Sequence, residues 1–262
     1  MTGRLPSELA EGSGIAPATQ SADRAWAITD GGPPLLFAID STGSIVSRVA
    51  VRNADKYDWE ALASARCAAG TCLYIGDVGD NQRDRSTVRV YRVSEPAANA
   101  GTTEAADRFD FRYPDGAHDA EAIFVLPGEQ LYVVTKGRSE PISVYRYPGA
   151  LTRDSVVTLD LVQTLTRSFV QLPDMVTGAG TTPDGQWIVL RTYGAVQLYR
   201  LHDGRLRQEL PDPISLQALH EFQGEGADLR GDGEILLLSE KGLDEGNPPI
   251  SRMKCTLPPD LR

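Results

Sequence analysis

The chain has 262 residues, of which 41% are hydrophobic and 24% charged, enough for a sizeable core in one large all-β domain or two small domains. Its formal net charge of −10 argues against broad binding to nucleic acid or to anionic membranes, because both would repel most of the surface. No apolar run approaches the roughly 18 residues that a membrane-spanning helix needs, and the N-terminus has no apolar stretch typical of a signal peptide. We therefore expect neither membrane insertion nor a nucleic-acid partner.

One pattern recurs five times along the chain: an acidic or hydroxyl residue in a small-apolar run, a turn, and an apolar strand that ends in polar residues. The first copy is EGSGIA followed by LLFAIDSTGS, and the second is DWEALA followed by CLYIGDVGDN. The third is DAEAIF followed by QLYVVTKGRS, the fourth is MVTGAG followed by WIVLRTYG, and the fifth is GEGADL followed by ILLLSEKG. The turns at 127–129, 183–185 and 231–233 all contain glycine, and the first two also contain proline, the residues that favour tight hairpins.

A third, alternating strand follows in four of the units, as SIVSRVAV, TVRVYRVSEP, PISVYRYP and AVQLYRLH. RFDFRYP and VVTLDLVQTLT are candidate fourth strands, and SRMKCTL paired with the N-terminal segment would close the ring. Inner strands that begin near 13, 60, 121, 177 and 225 give a period of about 47 to 61 residues, near that of a propeller blade. The sequence predicts an all-β fold in which 1–262 form a single five-bladed β-propeller with four-stranded antiparallel blades; a barrel of eight or more strands and a β-sandwich are the alternatives.

In a propeller, the start of each innermost strand and the end of each second strand lie at the same face, so both sets should converge on one funnel. The predicted inner-strand residues are Ser13, Glu60, Glu121, Thr177 and Glu225. The predicted second-strand ends are Asp40, Asp77, Lys136, Arg191 and Glu240.

The three glutamates of the inner set would repel one another around a narrow axis unless a cation neutralises them or some are protonated. Because all five inner residues offer oxygen donors, the pattern favours Ca²⁺, or another hard divalent cation, over zinc or copper. Asp58 and Asp119, each two residues before a glutamate, are further candidates that would tune its charge. The alternative is that these side chains cap backbone amides or pair with arginines.

The order Ser13, Glu60, Glu121, Thr177, Glu225 resembles the calcium-activated nucleotidase, or apyrase, family, whose five blades present Ser, Glu, Glu, Ser and Glu to a central calcium. The resemblance covers about residues 11 to 242 and implies a five-bladed propeller with an axial Ca²⁺. The sequence departs from the family pattern at two places. Residues 40–42 are Asp-Ser-Thr where the family has Asp-Asp-Arg, and residues 79–82 are Gly-Asp-Asn-Gln where it has Gly-Lys-Glu-Trp. Both changes remove charged or aromatic groups that would hold a nucleotide. The GDN segment at 79–81 is also similar to uncharacterised secreted bacterial propellers.

Basic residues follow several of the predicted second strands, and beside a divalent cation they could clamp a phosphate, sulfate or carboxylate; the alternative is that they pair with neighbouring acids. A hydrolase of phosphoesters or phosphoanhydrides would use Arg191 and Lys136 to stabilise developing charge and Asp77 or Asp80 to accept a proton. Other candidate ligand-binding residues are Asp40, Asn81, Arg83, Arg138, Tyr193, Glu240 and Lys241. A second hypothesis is a non-catalytic propeller with a structural calcium that binds a small anionic molecule or a protein, and a third is a glycoside hydrolase that uses the ring glutamates without a metal.

Cys67 and Cys72, in RCAAGTC, could form a small-loop disulfide or remain two buried thiols. A disulfide would place the protein in a secreted or periplasmic setting, with the signal peptide removed, whereas reduced thiols would favour the cytoplasm. We expect a monomer.

Overall fold

A computed structural model describes residues 2–242 and 246–257 of the chain, and these residues form a five-bladed β-propeller. The chain begins with β1 (Thr2–Arg4) and a 3-10 turn at Ser7–Leu9. Blade 1 consists of β2 (Gly12–Pro17), β3 (Ala25–Thr29), β4 (Leu35–Ile39) and β5 (Ile45–Arg52). Blade 2 consists of β6 (Trp59–Cys67), β7 (Gly70–Asp77), β8 (Val88–Ser94) and, after an intervening β9 (Thr102–Ala105), β10 (Asp107–Arg112).

The other three blades repeat this order from the axis outwards. Blade 3 consists of β11 (Ala120–Leu126), β12 (Gln130–Thr135), β13 (Pro141–Arg146) and, after an intervening β14 (Val156–Thr158), β15 (Asp160–Phe169). Blade 4 consists of β16 (Val176–Thr181), β17 (Ile188–Thr192), β18 (Ala195–His202) and β19 (Arg205–Gln208), with β20 (Ile214–Ser215) also paired to β18. After a 3-10 turn at Gln217–Leu219, blade 5 consists of β21 (Gln223–Leu229), β22 (Glu234–Glu240), β23 (Pro249–Lys254) and β1.

The predicted fold class is confirmed, and the N-terminal segment closes the ring as predicted because β1 pairs antiparallel with β23. Within the described chain, three blades carry a fifth strand: β20 adds an antiparallel strand to blade 4, and two other blades carry a fifth strand that is parallel to its neighbour. β9 pairs with β5 of blade 1, and β14 pairs with β10 of blade 2. Each of these strands comes from the connection between the third and fourth strands of the following blade.

The hydrophobic core is divided among the five contacts between neighbouring blades, with one cluster of buried residues in the described chain for each contact. For example, Trp26 and Ile28 of blade 1 pack with Leu62, Ile75 and Tyr91 of blade 2. Central strands such as β12 and β22 are continuous apolar runs because both of their faces are covered, whereas the outer strand β5 alternates. In the described residues no helix is long and apolar enough to cross a membrane.

Cys67 and Cys72 form a disulfide at the tip of the β6–β7 hairpin, and Cys255 is a free thiol. The bond decides between the two alternatives that the sequence left open. It is consistent with an oxidising compartment.

Candidate functional site

Each of the five predicted ring residues lies at a break in the pairing between the first and second strands of its blade. The five breaks in register fall at Gly12/Gly14, Trp59/Ala61, Ala120/Ala122, Val176/Gly178 and Gly224/Ala227. A bulge leaves its extra residue out of the ladder and re-aims the side chain. The same irregularity in every blade therefore turns Ser13, Glu60, Glu121, Thr177 and Glu225 out of the regular strand, and all five are buried.

The inner strands approach one another so closely at the axis that side chains have almost no room beside the backbone. A Cβ on Gly178 would lie 2.5 Å from the Glu225 carbonyl oxygen, and one on Gly226 would lie 2.9 Å from the Ile15 nitrogen. What remains at the axis is a cavity of about 10 Å³ whose lining includes Ser13, Glu60 and Glu121. The axial space is of the size of one water molecule or one ion.

The two hydroxyl residues of the ring join neighbouring blades. Ser13 Oγ donates to the Trp59 carbonyl oxygen at 2.6 Å, and Thr177 Oγ1 donates to the Gly224 carbonyl oxygen at 2.7 Å. Each accepting carbonyl belongs to the residue directly before a ring glutamate. These bonds therefore fix the positions of Glu60 and Glu225 relative to the neighbouring blade. The lone pairs of both hydroxyl oxygens remain available as acceptors.

Burial raises the pKa of all three ring carboxyls, and neighbouring carboxylates raise it further. Burial raises the pKa of Glu121 to about 8, against the opposing effect of Lys136. Burial and then Glu240 raise the pKa of Glu225 to about 7. The pKa of Glu60 is well above its usual range because of burial and the nearby Glu121 carboxylate. At neutral pH the axis therefore disfavours three simultaneous negative charges.

Lys136 supplies a positive charge to this group. It follows β12, is 5% exposed, and its Nζ lies 2.6 Å from Glu121 Oε1 and 5.9 Å from the centre of the Tyr193 ring. Burial lowers the pKa of Lys136, but the Glu121 carboxylate outweighs this effect and the net pKa is raised. One ammonium thus faces three ring carboxyls.

The donor set at the axis fits a hard cation, although the ligands are not assembled into a cluster. Two carboxylate oxygens of this region, Glu225 Oε2 and Asp119 Oδ2, are buried without a hydrogen-bond partner among the described residues. Buried acceptors of this kind call for a donor or a cation. Within 2–242 and 246–257, no three His, Cys, Asp or Glu side chains stand close enough together to hold a metal ion in the present arrangement.

The carboxylates of the two predicted proton acceptors, Asp77 and Asp80, accept hydrogen bonds from backbone N–H groups at the mouth. Asp77 is fully buried, its Oδ1 lies 2.8 Å from Arg85 Nη2, and its carboxylate accepts the backbone N–H groups of Tyr57 and Asp58. The carboxylate of Asp80 accepts the N–H groups of the next turn, from residues 84 and 85, at 3.0 and 2.9 Å. These contacts favour a structural role for both carboxylates.

Arg191 also has both terminal nitrogens of its guanidinium engaged within the protein. It is fully buried, and its Nη1 donates to the carbonyl oxygens of Gly226 and Leu238, both at 2.9 Å. Its Nη2 forms an ion pair with Glu221. Because Arg191 lies in blade 4 and both carbonyls in blade 5, this guanidinium joins the two blades under the mouth.

The remaining predicted mouth residues divide into paired and available groups. Arg83 forms an ion pair with Glu140 at 2.9 Å, and Arg138 Nη1 donates to Asn81 Oδ1 at 2.5 Å. The side chain of Lys241 is exposed and has no hydrogen bond or ion pair among the described residues. Burial and then Asp30 raise the pKa of Glu240 to about 7.

The prediction that Asp40 ends a second strand is wrong. Asp40 follows β4, the third strand of blade 1, and Ile39 pairs with Ala25, so Asp40 lies at the opposite end of the blade from the mouth. There its carboxylate accepts the N–H groups of Thr42 and Ser44 and stabilises its own turn. The residue after the second strand is Asp30, which the short strand AWAIT ahead of it could have revealed.

Sequence reasoning found only part of the rim of the mouth: it named Arg138 and Tyr193, but not the β15–β16 and β20–β21 connections. A pocket of about 780 Å³ lies there, between the β15–β16, β17–β18 and β20–β21 connections. Gln223 at its edge donates to Glu225 Oε1 at 3.0 Å, so the pocket borders the ring. No repeat or periodicity marks the β15–β16 and β20–β21 connections, and no sequence signal identified them, whereas Tyr193 belongs to the fourth copy of the repeat.

The sequence matches no family model and no curated protein. Solved structures are similar at the level of fold. The PQQ-bound aldose sugar dehydrogenase of Streptomyces coelicolor has a TM-score of 0.55 and 10% identity over 96% of this chain and 97% of that chain. The apo-form soluble aldose sugar dehydrogenase of Escherichia coli has a TM-score of 0.55 and 8% identity over 97% and 99%. A gluconolactonase of Xanthomonas campestris has a TM-score of 0.50 and 17% identity over 92% and 71%.

Identities this low establish a shared propeller architecture and carry no activity across to this chain. The resemblance to calcium-activated nucleotidases stays a prediction.

Proposed function

We propose that this protein is a calcium-centred propeller that binds a small anionic molecule at its mouth. The observation that supports the proposal is the group of three buried ring carboxyls beside Lys136, in which Glu225 Oε2 has no hydrogen-bond partner among the described residues. Oxygen donors with surplus negative charge are the ligands that Ca²⁺ prefers. The residues that would hold the cation are Ser13, Glu60, Glu121, Thr177 and Glu225.

When bound, the cation would neutralise the ring carboxylates and attract an anionic oxygen of the ligand. Lys136 would orient that oxygen from the same side, since it already lies between Glu121 and Tyr193. Arg138 and Lys241 are two further basic groups of the mouth that have no carboxylate partner in the described chain. A single anionic group fits this arrangement better than a polyanion, because the overall charge is −10.

Hydrolysis of a phosphoester or phosphoanhydride is the second candidate function, and Lys136 is the observation that favours it. A buried ammonium beside a cation site can stabilise charge that develops on a phosphoryl oxygen. The proton acceptor is the weaker part of this candidate, since Asp77 and Asp80 would have to leave their backbone contacts. The geometry therefore favours ligand binding over turnover.

Metal analysis and thermal unfolding of purified protein test the cation site. We expect one Ca²⁺ per chain and a rise in melting temperature with Ca²⁺ over EDTA. Glu225→Gln should remove both, because it takes away one anionic ligand. Glu225 forms no ion pair among the described residues, so the change breaks no such contact in the fold. Glu104→Gln makes the same chemical change at an exposed residue and should behave as wild type. Unchanged metal content in Glu225→Gln would contradict the axial site and would reopen the glycoside hydrolase hypothesis for its carboxyls.

A panel of nucleotides and phosphate esters, assayed with Ca²⁺ and with Mg²⁺, tests the second candidate. Hydrolysis above blank that is lost in Lys136→Met would support it. If no member is hydrolysed while calcium binding is intact, the hydrolase candidate is excluded and the binding function is retained.

A further inference from the structure

We infer that the pocket at the rim of the mouth binds a hydroxy acid with an apolar, ring-sized body. This rim pocket has a volume of about 780 Å³, within the range of roughly 300 to 1,000 Å³ that is typical of small-molecule sites. Its walls carry large apolar side chains together with a few polar groups. The residues that define it are Leu172, Met175, Tyr193, Leu216, Glu221 and Phe222.

The apolar wall of the rim pocket is open to solvent. Leu172 is 67% exposed and Phe222 is 60% exposed, although both are large apolar residues. They line the same cavity as the half-buried Tyr193 ring. Apolar surface that is concentrated in a concave site is stabilised when a ligand removes it from water. This wall fits a flat ring or a compact aliphatic body.

Glu221 brings a buried acceptor without a donor to the pocket. Its side chain is 3% exposed, and Oε2 forms the ion pair with Arg191. Its other oxygen, Oε1, is buried and has no hydrogen-bond partner among the described residues. A buried acceptor without a partner is costly, so a ligand that donates to Oε1 gains affinity. Because Arg191 already balances the charge, a neutral hydroxyl is sufficient as the donor.

Arg138 offers a binding group for an acid at the rim. It is exposed, and its hydrogen-bond partner in the described chain is the neutral Asn81 side chain. A guanidinium binds a carboxylate in a fixed, two-pronged geometry. Asp174 also lines the rim pocket and would repel a second acidic group. The ligand should therefore carry one acid, an apolar body and one hydroxyl.

This inference deepens the proposed function, since it names the class of anion, but the pocket itself requires no cation. The experiment is isothermal titration with 3-(4-hydroxyphenyl)propanoate and two matched probes. One is 3-phenylpropanoate, which lacks the hydroxyl, and the other is the methyl ester, which lacks the acid. We expect the hydroxy acid to bind roughly tenfold more tightly than either matched probe. Equal affinities for the three probes, or no binding of the hydroxy acid, would overturn the inference.

Variants at exposed positions locate the binding without endangering the fold. Phe222→Ala and Arg138→Gln should each weaken binding of the hydroxy acid by roughly fivefold or more. The matched controls are Phe169→Ala, at a 52% exposed phenylalanine outside the pocket, and Arg153→Gln, at an arginine with a 67% exposed side chain. Both controls should bind as wild type; equal losses in controls and test variants would place the probe elsewhere and overturn the inference.

Titrations in EDTA and in Ca²⁺ separate the two proposals. Binding of the hydroxy acid in EDTA, without any stabilisation by Ca²⁺, would support the rim pocket and contradict the calcium site. Stabilisation by Ca²⁺ without binding of the probe would do the reverse.

Discussion

Lys136 and Arg191 show how differently two buried cations can act at neighbouring positions of one mouth. Lys136 forms an ion pair with Glu121 and so offsets part of the negative charge of the ring. Arg191 instead donates hydrogen bonds to two carbonyl oxygens of the next blade and forms an ion pair with Glu221. Both were predicted to end a second strand, but only Lys136 directly follows one. Arg191 lies inside β17, and Tyr193 takes the position in blade 4 that Lys136 takes in blade 3. Their surroundings, and not their residue type, separate a role at the axis from a role in blade packing.

Lys136→Met should lower the unfolding free energy of the metal-free protein by about 3 kcal/mol, because it leaves a buried carboxylate without its partner. Calcium should reduce this loss, since the cation replaces the missing charge. Urea unfolding in EDTA and in Ca²⁺ measures both values. Lys254→Met removes an exposed pair with Asp232 and should cost less than about 1 kcal/mol. Equal losses in the two variants would contradict the role of Lys136.

Gly224→Ala should destabilise the protein by about 2 kcal/mol or more through overpacking. A Cβ at this position would lie 1.7 Å from Arg191 Nη2, and the guanidinium is held by blade 5 and cannot withdraw cheaply. Gly101→Ala, where a Cβ meets nothing within 4 Å, is the control and should change stability by less than about 0.5 kcal/mol. Chemical unfolding of both variants decides; a neutral Gly224→Ala would show that Arg191 is not confined.

At the scale of the element, a β-bulge takes the ring residue of each inner strand out of the regular pairing. Each bulge interrupts a regular hairpin at its first residues, and the remaining residues pair normally. The turns of these hairpins lie at the opposite end from the bulges, and the turn of β6–β7 carries the disulfide. One hairpin thus carries a ring residue at one end and a covalent link at the other.

Cys67→Ser should lower stability by roughly 2 kcal/mol, because the bond closes a loop of five residues in sequence and restricts the unfolded chain. Stabilisation by Ca²⁺ should persist in this variant, since Glu60 lies at the opposite end of β6. Unfolding with and without reductant provides the measurement: reductant should destabilise wild type and Cys255→Ser equally and leave Cys67→Ser unchanged. Loss of the calcium effect in Cys67→Ser would contradict the independence of the two ends.

The hairpins of the inner strands were predictable, because their turns and apolar runs are local. The predicted turns contain Gly128, Gly185 and Gly233, whose φ angles of 82°, 69° and 84° favour glycine. The strand β3 was missed because LLFAI, the third strand, is the stronger apolar run after it. The parallel strands β9 and β14 are short and exposed, so only their pairing with the preceding blade defines them.

At the scale of the molecule, five blades bring carboxyl groups that are distant in sequence into one electrostatic field. Ring glutamates of different blades raise one another's pKa: Glu121 and Glu225 both act on Glu60, and Glu225 also acts on Glu121. The field therefore belongs to the closed ring and to no single blade.

Metal-free protein should lose stability as the pH rises from about 5 to 8. The folded-state pKa values of Glu225 and Glu121, about 7 and about 8, lie above the unfolded value of 4.5, so the folded state binds more protons in this range. Stability is then highest near the unfolded pKa and falls as the pH passes through the folded pKa, by on the order of 3 kcal/mol. Unfolding in EDTA at several pH values measures this slope. Ca²⁺ and Glu225→Gln should each flatten it; an equal slope in Glu225→Gln would exclude Glu225 as one of its sources.

The sequence by itself determined the five-bladed repeat, the identities of the ring residues and the hairpin turns, because short-range pattern encodes each of them. Only the tertiary structure decided which end of a blade a polar residue occupies, and it placed Asp30, not Asp40, at the mouth. It also decided the charge balance at the axis and brought Glu221 and Phe222 into one rim pocket. Those properties depend on distances between residues far apart in the chain, which no local pattern specifies.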